Sequence, residues 1–460
     1  MRIILCGFRG TGKTEVGRVL SHLMDLPFTD TDMLIEQASG MTIHEMMRTH
    51  GEAYFRERER QVIASLSPDD AVISTGGGAV MDPVNVERLR RGSVMVLLEA
   101  DEKAIRERIE RSTRPPLTTL PLREEIRMLL AAREPFYVSA SDICINTHGK
   151  NINEVALGIA HFLSTGDSVP ATREQVVRFL EASGMNAPEL AEARDMLTGD
   201  AYTPVNRFFA ITGYPCMHSR SPPLFNALFG HYGILAYYTR LQDPDCGAVM
   251  HLARNLHMKG LSVTIPHKPG IMAFLDRIDH HAVKIGAVNT VVFCGERAYG
   301  FNTDWIGIRE PVQDLRGARA VVIGAGGAAA AAVYALMDLQ MEVTVLNRTK
   351  ERAEDLARRL GSHHAPISAF GTLAPDLVVN ATPIGMDPDR RSPVPKEFLS
   401  KGMTVFDLVY TPPDTTLIRD ARATGCRTIP GTEMFIRQAC AQFRHFTGIA
   451  VPVDLARRFL

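Results

Sequence analysis

The chain has 460 residues, which at roughly 150 residues per domain predicts about three folded units. Apolar residues make up 45% and charged residues 22%, enough for each unit to bury a core. With 51 basic and 52 acidic side chains, the net charge of −1 argues against a nucleic-acid partner held by bulk positive charge, and leaves small anionic substrates open. No apolar run approaches the ~18 residues of a membrane span. The start, Met1–Gly7, is too short an apolar stretch for a signal peptide. Seven scattered cysteines with no C-x-x-C pair predict reduced thiols in a cytoplasmic enzyme, with neither a disulfide framework nor a structural zinc site.

Short β-rich runs alternate with helical patterns along the chain. The predicted strands are Ile3–Cys6, Ala71–Ser74, Val94–Leu98, Phe208–Thr212, Leu261–Ile265, Ala320–Ile323, Val343–Leu346, Leu377–Asn380 and Thr404–Leu408. This alternation predicts an α/β fold of parallel sheets covered by helices. Residues 164–206 are polar, with Pro and Gly at both ends, and read as a structured linker with one or two small helices. A softer boundary falls near Pro311–Gly317.

Gly7-Phe8-Arg9-Gly10-Thr11-Gly12-Lys13-Thr14 matches G-x-x-x-x-G-K-[ST] between a predicted strand and a predicted helix, Glu15–Leu23. Such a loop wraps phosphates with backbone N–H groups at a helix N-terminus. Lys13 is expected on the β/γ-oxygens of ATP and the Thr14 hydroxyl on Mg²⁺. Phe28–Asp32 ends a further predicted strand with Asp30 and Asp32 on one side, one for the metal shell and one for an acceptor hydroxyl. Arg56 and Arg133, taken singly, are ordinary surface residues.

Taken together, GFRGTGKTEVGR, FTDTD, EAYFRERE, STGGGAV, RPPL and AAREPFY make residues 1–163 resemble shikimate kinase. The resemblance implies a P-loop kinase domain. Gly10, Thr11, Gly12, Lys13, Thr14, Glu15, the lid residue Arg114 and, more weakly, Lys150 would bind ATP. Asp32, Arg56, Gly76, Gly77, Gly78 and Arg133 would hold shikimate, with Lys13 and Asp32 catalytic and Thr14 and Asp30 on Mg²⁺. Arg9, Thr14 and Pro116 depart mildly from the family pattern.

A second glycine loop, Gly324-Ala325-Gly326-Gly327-Ala328, follows Ala320–Ile323 and opens an Ala-rich helix. The next strand ends at Asn347-Arg348-Thr349, followed by Lys350 and Arg352. In a dinucleotide fold an acid here would select NAD; cations and a hydroxyl instead fit a 2′-phosphate, so the expected cofactor is NADP(H). The lobe before it offers hydroxyls at Ser219 and Ser221, then Thr264, Lys268, Asn289 and Asp304.

Assembled, GYPCMHSRSP, VTIPHK, GAVNT, NTDW, GAGGA, NRTKERA, NATPIGM, DLVYTPPDT and MFIRQA make residues 207–460 resemble shikimate dehydrogenase. The resemblance implies a substrate domain over 207–310, a Rossmann NADP domain over 311–430, and C-terminal helices over 431–460 returning to the substrate domain. Ser219, Ser221, Thr264, Lys268, Asn289, Asp304, Tyr410 and Gln438 would bind substrate, with Lys268 carrying the proton and Asp304 paired with it. Gly324 to Ala328, Asn347, Arg348, Thr349, Lys350, Arg352, Leu408 and Gly431 would face the cofactor. Ser262 stands where bacterial members commonly have Asn, and Ala330 where Arg or Lys is usual.

The two resemblances point to consecutive steps, reduction of 3-dehydroshikimate and phosphorylation of shikimate. A sensor built on degenerate domains would be expected to have lost Lys13, Asp32, Lys268 or Asp304, and all four are present. One live enzyme joined to an inert partner is the other alternative. The His280-His281 and His363-His364 pairs lack a third ligand at metal-binding spacing and read as solvated loops. Oligomeric state is not legible.

Overall fold

The computed structural model describes residues 1–110, 118, 120–165, 207–217, 219–234 and 236–460. Arg114, Pro116, Leu117, His218 and the linker residues 166–206 lie outside the described residues. No helix among the described residues is long and apolar enough to cross a membrane.

Three sheets follow one another along the chain. The first comprises β1 (Arg2–Cys6), β2 (Phe28–Asp30), β3 (Val72–Ser74), β4 (Ser93–Glu99) and β5 (Ile143–Asn146). It is parallel, in the order β2-β3-β1-β4-β5. Its central strands are buried on both faces, which is why β1 and β4 read as continuous apolar runs.

The second sheet comprises β6 (Arg207–Gly213), β7 (Ala236–Gln242), β8 (Gly260–Val263), β9 (Arg277–Ile278), β10 (Thr290–Cys294) and β11 (Arg297–Phe301), in the order β7-β6-β8-β10-β11-β9. Here the expectation of parallel sheets fails. β10 runs antiparallel to both β8 and β11. The cause is local: Gly295, at φ +59°, turns a two-residue hairpin, and such a connection only joins antiparallel strands. The strand expected over Leu261–Ile265 also ends early, at Val263, and Ile265 is 72% exposed.

The third sheet comprises β12 (Arg319–Ile323), β13 (Glu342–Asn347), β14 (His363–Pro366), β15 (Leu377–Asn380), β16 (Thr404–Asp407) and β17 (Arg427–Ile429). All its pairings are parallel, in the order β14-β13-β12-β15-β16-β17. The strand order reverses at β12, which opens a crevice beyond the carboxyl ends of β12 and β15. The long helix Gly431–Thr447 then packs Phe435, Phe443 and Phe446 into a cluster with Phe209, Phe225 and Tyr238 of the second unit.

That cluster does not stop at the unit boundary. It continues through Tyr137, Val138 and Ala140 into Ile4, Cys6 and Phe8 of the first sheet. At its edge lies Asp142, fully buried just before β5. Its Oδ1 accepts from Arg90 (2.9 Å) and from Arg207 (2.5 Å), the first residue of β6; its Oδ2 accepts from the Met95 N–H (2.8 Å). Lys259 donates to the Asp142 carbonyl at 2.8 Å. Burial pushes the carboxyl up, but the charges of Arg207 and Arg90 outweigh it and hold Asp142 at about 2. Arg297 pairs with Glu99 across the same joint, and Tyr299 donates to Glu134 at 3.2 Å.

Cys144 and Cys294, 150 residues apart, form a disulfide across this joint. This corrects the reading of all seven cysteines as reduced thiols. Their spacing carries no signal because packing between units, not local sequence, brings them together.

Asp142→Ala leaves Arg90 and Arg207 buried without a counter-charge, so it should lower full-chain stability in urea by about 3–5 kcal/mol. Asp142 is held at about 2, below its unfolded value of about 3.9. Its contribution is therefore full above about pH 4 and lost as pH falls towards 2, which acid titration of wild type and variant should reveal.

Candidate active sites

The first site grows from the end of β1. Gly7, Gly10 and Gly12 all have positive φ, and a Cβ on Gly7 would stand 2.4 Å from the Leu98 carbonyl. Only glycine permits this loop. Gly12 caps the helix Lys13–Met24, two residues earlier than the expected Glu15. Lys13 Nζ donates to Gly7 O (2.8 Å) and Phe8 O (2.9 Å), so the ammonium sits under the loop. Thr14 Oγ1 donates to Asp30 Oδ2 at 2.8 Å, while Asp30 Oδ1 caps the helix Thr31–Ser39. A hydroxyl and a carboxylate brought together in this way form a hard-oxygen pair fit for Mg²⁺. Glu15 turns its carboxylate to Arg18 at 3.1 Å on the exposed side, which leaves its backbone as what it can offer a nucleotide. Lys150 is exposed, one turn from Thr147.

The acceptor side is built against Gly76–Gly78. A Cβ at Gly76 would stand 2.5 Å from Asp32 Oδ1, and one at Gly78 2.5 Å from Arg56 Nη1. The glycines therefore bring an acid and a guanidinium against bare backbone. Arg133 lies with its guanidinium carbon 5.9 Å from the Phe8 ring centroid.

Sequence reading missed three residues here. Glu59, 1% exposed, accepts from Arg56 at 3.0 Å, and its other oxygen has no hydrogen-bond partner among the described residues. Burial pushes its carboxyl up against the opposing pull of Arg56. Tyr137 donates to the Gly77 carbonyl, and Arg108 to Gly10 O at 3.3 Å. Glu59 and Tyr137 stand one helical turn from Arg56 and Arg133, which is the signal that was available.

The second site lies where the second and third sheets meet. Lys268 Nζ donates to Asp304 Oδ2 at 2.5 Å, and Asn289 Nδ2 donates to Asp304 Oδ1 at 2.8 Å. Asn302 Oδ1 accepts from the Asp304 N–H at 3.0 Å, so the acid is held from three directions. Ser219 and Ser221 are buried with their hydroxyls 3.2 Å apart, and Arg240 donates to Ser219 O at 2.9 Å. Thr264 ties to β6 through its N–H on Thr212 O (2.8 Å). Tyr410 stacks on Phe435 at 5.1 Å, and the Gln438 amide donates to Phe435 O at 3.1 Å.

Two further residues escaped sequence reading. Tyr238, fully buried, carries its hydroxyl near Ser221 and Ser262 without a hydrogen bond of good geometry among the described residues. Gln442 accepts from Ser262 (2.8 Å) and donates to Asn289 O (2.9 Å). The orphaned Tyr238 hydroxyl is a polar group suited to an oxygen-rich substrate.

The cofactor loop follows β12. Gly324 has φ +119°, and a Cβ there would lie 2.9 Å from Ala381 O. A Cβ on Gly431 would lie 2.5 Å from Val409 O, next to Leu408, whose N–H donates to Asn380 O at 3.0 Å. Ala325, Gly326, Gly327 and Ala328 thus open onto the crevice with Leu408 and Gly431 beside them. Asn347 donates to Thr349 O at 2.9 Å, fixing the turn after β13. Arg348, Lys350 and Arg352 are exposed there, without an ion-pair partner among the described residues. A Cβ at Gly327 would stand 3.8 Å from Lys268 Cδ, which brings the lysine beside the cofactor loop.

The metal reading of His280-His281 needs one correction: Asp279 supplies a third group within 4.8 Å. Asp279 already caps its helix through the His281 N–H (2.9 Å), and His281 Nδ1 meets Tyr334 Oη (2.7 Å). The cluster is occupied by structural duties. His363 and His364 are exposed in β14.

Family comparison agrees with this geometry. The Shikimate kinase family model matches residues 9–164. The Shikimate dehydrogenase substrate binding domain matches 211–291, Shikimate / quinate 5-dehydrogenase 308–382, and the Shikimate 5'-dehydrogenase C-terminal domain 431–458. A shikimate dehydrogenase (NADP(+)) of Maridesulfovibrio salexigens is 39% identical over 268 residues, covering 57% of this chain and 98% of that protein. This chain belongs to the shikimate dehydrogenase family. A shikimate kinase domain precedes the dehydrogenase in the same chain. Among solved structures, shikimate 5-dehydrogenase of Thermus thermophilus in complex with NADP(H) and shikimate aligns at a TM-score of 0.51 and 34% identity, covering 55% of this chain and 100% of that one. A chorismate mutase/shikimate 5-dehydrogenase fusion from Clostridium acetobutylicum aligns at 0.52 and 29% identity, covering 55% and 96%.

Gly78→Ala should push Arg56 off the glycine run. We expect kinase kcat/KM for shikimate to fall about tenfold or more, a loss of ~1.4 kcal/mol, with dehydrogenase rates unchanged.

Proposed function

We propose that this chain carries out two consecutive reactions, NADPH-dependent reduction of 3-dehydroshikimate to shikimate and ATP-dependent phosphorylation of the shikimate 3-hydroxyl, with the residues above in named roles. The observation that carries the reading is Lys268, paired to Asp304 at 2.5 Å and beside Gly327 of the cofactor loop. A proton donor and a dinucleotide crevice then face one point between the lobes.

In the dehydrogenase, bound NADPH supplies the hydride. Lys268 gives its proton to the substrate carbonyl oxygen as that oxygen gains charge, and Asp304 holds the ammonium in place. Ser219 and Ser221 hold the carboxylate, with Thr264, Asn289, Tyr410 and Gln438 around the ring. Arg348, helped by Lys350 and Arg352, takes the 2′-phosphate. In the kinase, bound Mg²⁺ neutralises phosphate charge. Thr14 and Asp30 hold it, Lys13 stabilises the charge of the phosphoryl oxygens, and Asp32 accepts the proton of the attacking hydroxyl. Arg56, Arg133 and the Gly76–Gly78 backbone hold shikimate, and Arg114 covers the phosphates. The partners are small molecules, without nucleic acid.

Incubating the full chain with 3-dehydroshikimate, NADPH and Mg-ATP should give shikimate 3-phosphate, resolved by mass. Recovery of shikimate alone, or of unchanged 3-dehydroshikimate, would refute one or both activities.

Lys268→Ala should reduce dehydrogenase turnover by a factor of about 100 or more while kinase turnover stays normal. Arg348→Ala should reduce the NADPH/NADH ratio of kcat/KM by about ten- to a hundredfold, since a charge-assisted hydrogen bond contributes roughly 1.5–3 kcal/mol. Wild-type use of NADH as good as NADPH would overturn the cofactor assignment, and an unchanged ratio in the variant would overturn the residue.

A further inference from the structure

A cavity of about 380 Å³ lies between the kinase domain and the dehydrogenase. Its walls are the next turns of elements that carry the two sites. Val80 and Met81 follow the Gly76–Gly78 run, Phe136 follows Arg133, and Ile306 follows Asp304. A further wall is one face of the helix Gly431–Thr447, where Arg437, Cys440, Ala441, Arg444 and His445 recur at three- and four-residue spacing, and the turn after it together with Glu310, which faces Arg437, completes the lining. None of these side chains serves the reactions described above.

The chemistry of the lining is specific. Most of it is apolar. Arg437 is already engaged by Glu433 and by Glu310 at 3.4 Å. Arg444 is different: it is exposed, its guanidinium carbon lies 5.7 Å from the Phe136 ring centroid, and it has no ion-pair partner among the described residues. His445 stacks on Phe301 at 4.1 Å, and burial lowers its imidazole to about 4, so it is neutral at pH 7. The cavity therefore combines apolar walls, a neutral ring and a single uncompensated cation at the kinase–dehydrogenase joint. Its volume lies in the range of small-ligand sites, which favour such interfaces.

We propose that this cavity is a binding site for a small aromatic carboxylate, its ring against the apolar wall and its carboxylate on Arg444. A guanidinium steadied over a ring presents a fork of N–H donors that matches a carboxylate and not a neutral amide. An occupant touches both enzymes and so favours their docked arrangement.

The test is isothermal titration of the full chain with 3-phenylpropanoate, at saturating shikimate, so that the carboxylate sites of both enzymes are filled. One site per chain is expected, with a dissociation constant in the millimolar range or below. The neutral 3-phenylpropanamide should bind about tenfold more weakly or worse, as should 3-phenylpropanoate to Arg444→Ala. Ala441→Trp, which fills the cavity, should abolish binding. Both variants should retain both activities, which establishes that they fold and keeps this test separate from that of the proposed reactions. Absence of saturable binding to the wild type, equal binding of acid and amide, or binding unchanged in Arg444→Ala would overturn the proposal.

Discussion

One buried carboxylate sets the geometry of the molecule. Asp142 stands between the helix Leu122–Ala140 and β5, and it takes Arg90 from its own unit and Arg207 from the next. Buried ion pairs add little net stability over a well-packed apolar pair, because desolvation offsets most of the Coulomb gain. What they contribute is specificity: two guanidinium groups cannot be left without a counter-charge, so one docking arrangement is favoured over neighbouring ones. Lys259, Glu99–Arg297 and the Cys144–Cys294 disulfide surround that node and act in the same direction. The helix Leu122–Ala140 thereby has two roles. It carries Arg133 and Tyr137 towards the kinase site, and it lies against the helix Gly431–Thr447 of the dehydrogenase.

Where the chain departs from the family pattern, the structure gives Arg9 and Ser262 defined partners. Arg9, inside the phosphate loop, pairs with the buried Glu125, which also accepts from Thr118 (2.6 Å). This ties the loop to Thr118 and to the helix Leu122–Ala140 with a charge-assisted bond. Ser262 is short, and Gln442 reaches across to take its hydroxyl and the Asn289 carbonyl together, which keeps β8 and the helix Gly431–Thr447 in register. Ala330 is buried among the alanines of its helix and offers no charge to a cofactor. That leaves the positive end of the crevice to Arg348, Lys350 and Arg352.

Much of this is legible in the sequence. The phosphate loop, the second glycine loop and the acids and lysines at strand ends are local signals, because backbone conformation and residue chemistry dictate them within a few positions. Gly7, Gly12 and Gly324 have the positive φ that their motifs require. What escaped is relational. The β10–β11 hairpin reverses a sheet that alternation alone predicts to be parallel. The Cys144–Cys294 bond depends on packing between units. Glu59, Tyr137, Tyr238 and Gln442 matter through the neighbour they hold or face, and a single sequence does not show which face of a helix or strand meets that neighbour.

Two enzymes of consecutive reactions share one folded body rather than hanging on a tether. The most direct test follows kinase activity, dehydrogenase activity and hydrogen exchange of the full chain through one urea titration. The account predicts a single transition in which both activities and the protection of β5 and β6 are lost together. Two transitions, with one activity surviving at full rate after the other unit has unfolded, would contradict it.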